Sequence, residues 1–142
     1  MTDAGFSVER IPWLSRIRDI LEIHDRAWGR STGILDLLSR STACFLVVDA
    51  EGRVRGYCFV EEDEPRGFFE LQDISVSPDC RNSGLGRTLM AAVMAACPRI
   101  KLMTRAGKPA ASFFQRLGFV QEQMVENYYD VGEDALRMGW TA

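Results

Sequence analysis

One turn restricts the folds open to this chain more than any other feature. The alternating, β-rich run Phe68 to Val76 is ended by Pro78, and a helical run begins at Leu85. Between them stands Arg81-Asn82-Ser83-Gly84-Leu85-Gly86. The start of a helix leaves several backbone N–H groups without partners, and their dipoles favour an anion. Gly84 and Gly86 keep side chains away from that backbone. Arg81 and Arg87 add charge-assisted contacts, and Thr88 adds a hydroxyl. The pattern reads as a pyrophosphate site; the competing reading is an ordinary strand-to-helix turn that needs glycine for its own geometry. It is neither of two familiar phosphate loops. A P-loop needs glycine at Arg81 and lysine at Arg87, and a dinucleotide fingerprint needs a small residue at Leu89.

The elements around the turn alternate. Phe6 to Ile11 predicts a short first strand. From Pro12 to Trp28 apolar residues recur at three and four, the helical period, and Ile34 to Leu38 predicts a second, short helix. Ala43 to Asp49 and Val54 to Val60 predict a hairpin about Glu51-Gly52, followed by an acidic loop through Glu61-Glu62-Asp63-Glu64. Leu85 to Ala96 is helical, with Leu85, Leu89, Ala92, Val93 and Ala96 on one face. Ile100 to Thr104 is a fifth strand. A helix runs from Pro109 to Leu117 and ends at Gly118. Phe119 to Tyr129 and Ala135 to Trp140 make a final antiparallel pair around the loop Asp130 to Asp134. This order predicts an α+β fold in a single domain spanning 1–142.

Charge and cysteine usage narrow the chemistry. The formal charge of -3 argues against a general nucleic-acid binder. The acidic run at Glu61 reads first as solvated surface and second as an end for a cationic substrate, facing a locally basic region after residue 80. Cys44, Cys58, Cys80 and Cys97 show no CxxC spacing, and His24 is the only histidine, so no metal site is expected. Cys44 and Cys58 read as buried thiols. His24, in a helical stretch, reads as a surface or packing residue, and Trp13 and Trp28 read as core. No apolar run approaches the roughly 20 residues of a membrane span, and the first ten residues do not read as a secretory signal. A cytoplasmic location is the expectation.

The segment Phe68 to Gly86 resembles the central motif of the GCN5-related N-acetyltransferase (GNAT) family. A second segment, Gly107-Lys108-Pro109-Ala110-Ala111-Ser112-Phe113-Phe114-Gln115-Arg116-Leu117-Gly118-Phe119, resembles that family's other helix. The two stand in the expected order, and with the element order the resemblance covers nearly the whole chain. It implies a GNAT-like mixed, mostly antiparallel sheet of six to seven strands, with helices on both faces and a splay between the fourth and fifth strands. It also implies acetyl-CoA as co-substrate. The pantetheine arm would enter the splay beside Ile74, Ser75 and Val76. The pyrophosphate would meet Arg81, Asn82 and the N–H groups of Ser83, Gly84, Leu85, Gly86, Arg87 and Thr88. Lys108 or Arg87 would reach the nucleotide phosphate, and Phe114 is grouped with the cofactor positions.

This sequence also departs from the family pattern. Phe114 stands where many members carry the tyrosine that protonates the leaving thiolate, and Gly107 replaces the usual asparagine. The tail Asn127 to Met138 resembles that of the ribosomal-protein type of N-terminal acetyltransferase, yet Met103 stands where those enzymes carry an acidic base. A proton acceptor is needed for a protonated amine. Glu70 matches the general-base glutamate of the histone acetyltransferase branch, with a strand-edge carboxylate pairing with arginine as its plain reading. Asp73 is the second choice, on the opposite face if the strand alternates cleanly; a bulge would change that. Tyr128 and Tyr129 are candidate acids, of which at most one faces the cleft. The expected activity is acetyl transfer to a protein N-terminus, a lysine or a small amine, with a coenzyme-A-binding sensor without catalysis as the alternative. The expected partners are acetyl-CoA and a small-molecule or protein amine, with no nucleic acid or membrane; a homodimer is an open option.

Overall fold

The computed structural model describes residues 5–11, 13–28, 40–80, 83–107 and 109–142, with the backbone alone at Ile11, Trp13, Leu14, Ala27 and Trp28. The expected helix Ile34 to Leu38, the side chains of Trp13 and Trp28, and the site residues Arg81, Asn82 and Lys108 lie outside the described residues. The chain forms β1 (Ser7–Ile11), a short 3-10 turn, α1 (Ile17–Trp28), β2 (Ala43–Val48), β3 (Val54–Asp63) and β4 (Phe68–Val76). It continues through a second 3-10 turn (Pro78–Cys80) to α2 (Leu85–Ala96), β5 (Arg99–Arg105), α3 (Pro109–Arg116), β6 (Val120–Asp130) and β7 (Glu133–Thr141).

The strands make one 7-stranded sheet in the order β1-β2-β3-β4-β5-β7-β6. All neighbours are antiparallel except β4 and β5, which run parallel. That order explains why β2 reads as an unbroken apolar run: every residue from Ala43 to Val48 is buried, because both faces of the sheet are covered. Ala43 and Phe45 join Cys58, Val60 and Leu71 under α2 and α3, which contribute Leu89, Met90, Val93, Ala111 and Phe114. Cys44, Leu46 and Val48 join Tyr57 and Phe59 under Ile20 and Ile23 of α1. The helices thus occupy both faces, and β2 and β3 feed both cores by alternation.

Three boundaries differ from the sequence reading. The acidic run is not wholly a loop: Glu61, Glu62 and Asp63 continue β3 and pair with Glu70, Phe69 and Phe68. Ladder hydrogen bonds to β4 outweigh the poor strand propensity of the charges. The last hairpin is tighter than the predicted loop, since β6 runs to Asp130 and β7 starts at Glu133, with Gly132 at φ 77 in the turn. On α2, Ala96 is exposed and Met90 is buried instead. Among the described residues, no helix is long and apolar enough to cross a membrane.

Candidate active site in the splayed sheet

The parallel pairing of β4 with β5 is short. It covers Phe69 with Ile100, Glu70 with Lys101 and Leu71 with Leu102, and goes no further. Beyond Leu71, β4 stays paired with β3 as far as Val76 opposite Gly56, while β5 stays paired with β7 as far as Arg105 opposite Ala135. The two inner strands therefore diverge. From Gln72 to Val76, the edge of β4 toward β5 has no strand partner. Ile74, Ser75 and Val76, the residues expected to meet the pantetheine arm, lie on this stretch.

At the end of β4 the 3-10 turn leads into α2. Gly84 takes the left-handed conformation, φ 80, at the helix N-cap, and no side chain caps the helix. The first turn holds no acidic residue. Its amides are therefore open to an anion, as the sequence predicts. The two glycines serve different ends. A Cβ at Gly84 would meet nothing within 4 Å, so the positive φ is what requires glycine there. A Cβ at Gly86 would come to 3.4 Å from the Phe113 ring, so Gly86 lets α2 sit against α3. Thr88 donates its hydroxyl to the Gly84 carbonyl at 3.0 Å, and Ser83 donates to the Cys80 carbonyl. Both protons are engaged inside the turn, which leaves amides and the exposed Arg87 as its free donors among the described residues.

On β4 the register slips between Phe59 and Val60 of β3: Phe59 pairs with Asp73, Val60 pairs with Leu71, and Gln72 is the extra residue of a β-bulge. The slip reverses the strand's alternation. Leu71 and Ile74 pack under α2 and α3, whereas Asp73 meets Tyr57 on the α1 face. Glu70 pairs with Arg137, whose neighbours Leu136 and Met138 pack on the opposite face. Glu70 and Asp73 thus share the α1 face, contrary to the clean-alternation expectation. Gln72 joins them there, donating to Glu61 Oε1 at 2.7 Å.

The two carboxylates have different surroundings. Glu70 Oε2 accepts from Arg137 Nη1 at 2.7 Å. It also lines an open recess of about 330 Å³ with Glu61, Glu62, Asp63 and Pro65. Asp73 Oδ2 accepts from the Tyr57 hydroxyl at 2.8 Å, and His24 Nδ1 lies 3.0 Å from that hydroxyl. Burial pushes the Asp73 carboxyl above its ordinary value, while the bond from Tyr57 and the neighbouring His24 pull it back. His24 is therefore a buried network member, not a surface residue. Its isolation in the sequence concealed this, because both partners are distant in the chain.

The other expected site residues have surroundings of their own. Phe114 is 4% exposed and packs edge-on to Phe113 and Phe119. Its ring is a core element joining α3 to the start of β6. Tyr128 and Tyr129 do not alternate cleanly: their rings touch at 5.0 Å, and the β6–β7 register is irregular between Val125 and Asp130, where Asn127 has φ 54. Tyr129 lies under the Arg105 guanidinium at 4.2 Å, and burial raises its phenol. Burial also pushes the Cys44 thiol up to about 12, so this cysteine is inert packing. Among the described residues, no group of three or more metal-ligating side chains occurs.

Residues 41–121, more than half of the chain, match the model of the acetyltransferase (GNAT) domain. The chain belongs to the GNAT family. It is 31% identical to an uncharacterized N-acetyltransferase of Methanocaldococcus jannaschii over 112 residues, 74% of this chain and 70% of that one. The ribosomal-protein-S18-alanine N-acetyltransferase of Escherichia coli superposes with a TM-score of 0.80 at 23% identity, covering 96% of this chain and 93% of that one. An aminoglycoside 6'-N-acetyltransferase solved with coenzyme A superposes with a TM-score of 0.83 at 11% identity, covering 95% and 96%. This GNAT protein is an acetyltransferase of a family that uses acetyl-CoA, and its sheet has the mixed architecture the resemblance implied.

Proposed function

We propose that acetyl-CoA lies in the opening between β4 and β5, with its pyrophosphate on the amides of Ser83 to Thr88, and that an amine attacks it directly from the α1 face. The observation that carries this reading is the juxtaposition of a strand edge without a strand partner and a helix start without a side-chain cap. The strand pairing of β4 with β5 stops at Leu71, and an uncapped, acid-free helix start lies just beyond the end of β4. Amide groups of a pantetheine arm suit the first, and a diphosphate suits the second. Arg81, Arg87 and Lys108 are the cations within reach along the chain.

The proton acceptor belongs to the α1 face. Of the two candidate carboxylates there, Glu70 is tied to Arg137, while Asp73 sits beside the opening with 12% of its side chain exposed. Asp73 therefore takes the proton, and Glu70 forms one wall of the recess that receives the charged amine. A carboxylate-lined approach suits an ammonium group. That covers a protein N-terminus, a lysine and a small polyamine alike. The Escherichia coli relative is named for acetylating an alanine of ribosomal protein S18, but Met103 and Phe114 here stand where that type carries its acidic base and its tyrosine. A thiolate is a good leaving group, so departure without a strong acid is feasible; Tyr129, its phenol raised by burial, is a weak proton donor.

The test is twofold. Saturating acetyl-CoA should raise the melting temperature by the linkage expected of a ligand that binds only the folded state. Thiol release should then appear with at least one of an alanine-starting hexapeptide, lysine methyl ester and spermidine. Absence of any thermal shift overturns the cofactor site; a shift without amine-dependent thiol release overturns the acceptor assignment.

A further inference from the structure

The buried chain His24–Tyr57–Asp73 is built from three elements that are far apart in sequence. Tyr57, on β3, is fully buried and stacks on Phe59 with ring centroids 4.7 Å apart. Its hydroxyl donates to Asp73 Oδ2 at 2.8 Å, so its oxygen is left to accept from His24 Nδ1 at 3.0 Å. His24 Nδ1 is also 3.4 Å from Asp73 Oδ2, with 8% and 12% of the two side chains exposed. The outer nitrogen of the ring, Nε2, is buried and has no partner among the described residues. An orphaned buried polar atom is unfavourable. The fold accepts that cost at a ring whose other nitrogen is aimed at the hydroxyl and the carboxylate. All three groups converge at the bulge that places Asp73 on this face, directly before Ile74 on the unpaired edge of β4.

We propose that Tyr57 and His24 are positioning residues that hold the Asp73 carboxylate ionised and aimed as the proton acceptor for the incoming amine. The inference rests on the acetyl-CoA site described above. The carboxylate removes one proton from the ammonium. The freed lone pair forms the C–N bond to the acetyl carbon. The C–S bond breaks, its electron pair leaves with sulfur, and the second proton lost by nitrogen passes to the thiolate to give coenzyme A. Desolvation alone would keep Asp73 protonated and useless as a base. The hydroxyl bond and the imidazole oppose that. Further ionisable groups on this face are Glu70 and Glu61, held by Arg137 and Gln72, and Lys101 of β5, in register with Glu70 and paired with Glu122 at 2.7 Å. Asp79 in the following turn is paired with Arg26 of α1 at 2.9 Å. Cys58 lies on the opposite face of β3, its thiol pushed up by burial and by Asp73.

A purely structural role, pinning α1 to the sheet, predicts lost stability and nothing else. The positioning role predicts a displaced acid limb. Tyr57→Phe keeps the ring and its stack on Phe59, so the protein should fold, as circular dichroism would verify. With the best amine of the panel at saturation, the acid limb of kcat should move to higher pH by about one unit, with KM for acetyl-CoA within twofold. His24→Gln should move it in the same direction. Asp73→Asn should lower kcat by on the order of 100-fold or more while acetyl-CoA binding by calorimetry is retained. Independently of turnover, the 13Cγ resonance of Asp73 should titrate above 3.8, and higher still in Tyr57→Phe. An acid limb and a 13Cγ midpoint that stay put in Tyr57→Phe overturn the proposal, as does full activity in Asp73→Asn. Loss of acetyl-CoA binding by the wild-type protein would instead overturn the cofactor site on which it rests.

Discussion

Arg137 Nη1 donates to Glu70 Oε2 at 2.7 Å, a bond between residues 67 positions apart that links β7 to β4 across β5. The pair is partly buried, with 21% and 28% of the side chains exposed. It braces the closed end of the sheet beside the point where β4 and β5 diverge, and it engages one oxygen of the Glu70 carboxylate.

Arg137→Met should therefore cost about 1 kcal/mol of stability by urea unfolding, the range of partly exposed pairs. Glu70→Gln should raise KM for a cationic amine and leave the acid limb of kcat in place. A shift of that limb in Glu70→Gln would return Glu70 to the role of base.

The two glycines of the turn should separate on substitution. Gly84→Ala forces a Cβ into left-handed backbone, at about 1–2 kcal/mol, but meets no neighbour. Coenzyme affinity by calorimetry should survive. Gly84→Asp should abolish binding, because a carboxylate would face the pyrophosphate. Gly86→Asp should lose both stability and binding, since a Cβ there would lie 3.4 Å from the Phe113 ring and the carboxylate beyond it would have to enter between α2 and α3. Normal affinity in Gly84→Asp would sink the anion site.

Phe114 should behave as core. Truncation to alanine removes a ring packed between Phe113 and Phe119 and should cost about 3–5 kcal/mol, read from the denaturant midpoint at constant m-value. A selective loss of acetyl-CoA affinity with unchanged stability would restore it to the cofactor group.

Two aspartates near α1 should show opposite stability–pH behaviour. Burial raises the Asp73 carboxyl in the folded state. The folded state then holds its proton longer, so the associated stability is present below 3.8 and is lost as pH rises through the folded value. The hydrogen bond and charge of Arg26 lower the Asp79 carboxyl. Its contribution is present above 3.8 and is lost as pH falls through the folded value. Asp73→Asn should thus compare best with the wild type near neutrality, and Asp79→Asn near pH 3. Thermal melts across pH would show it, and parallel curves would refute the assignment.

Much of this fold was legible because it is written locally. The alternation of Phe68 to Val76, the stop at Pro78 and the glycines before Leu89 place a strand, a turn and a helix without knowledge of the rest. Residue-by-residue alternation misled at one point. It put Glu70 and Asp73 on opposite faces, because a bulge is decided by the partner strand and not by the bulged strand itself. Phe114 reads as a cofactor position from its place in a motif; that its ring also packs against Phe119 depends on the strand that follows α3 and could not be read locally.

The sequence by itself determined the element order, the uncapped helix start and the family. Each depends on spacing within a few turns of chain, where backbone geometry allows few alternatives. The tertiary structure alone decided where β4 and β5 part, which face Asp73 takes and what stands behind it. Those features come from register and from contacts such as that of His24 with Tyr57, 33 residues apart. Such contacts exist only once the sheet has formed and burial has removed water as the competing partner.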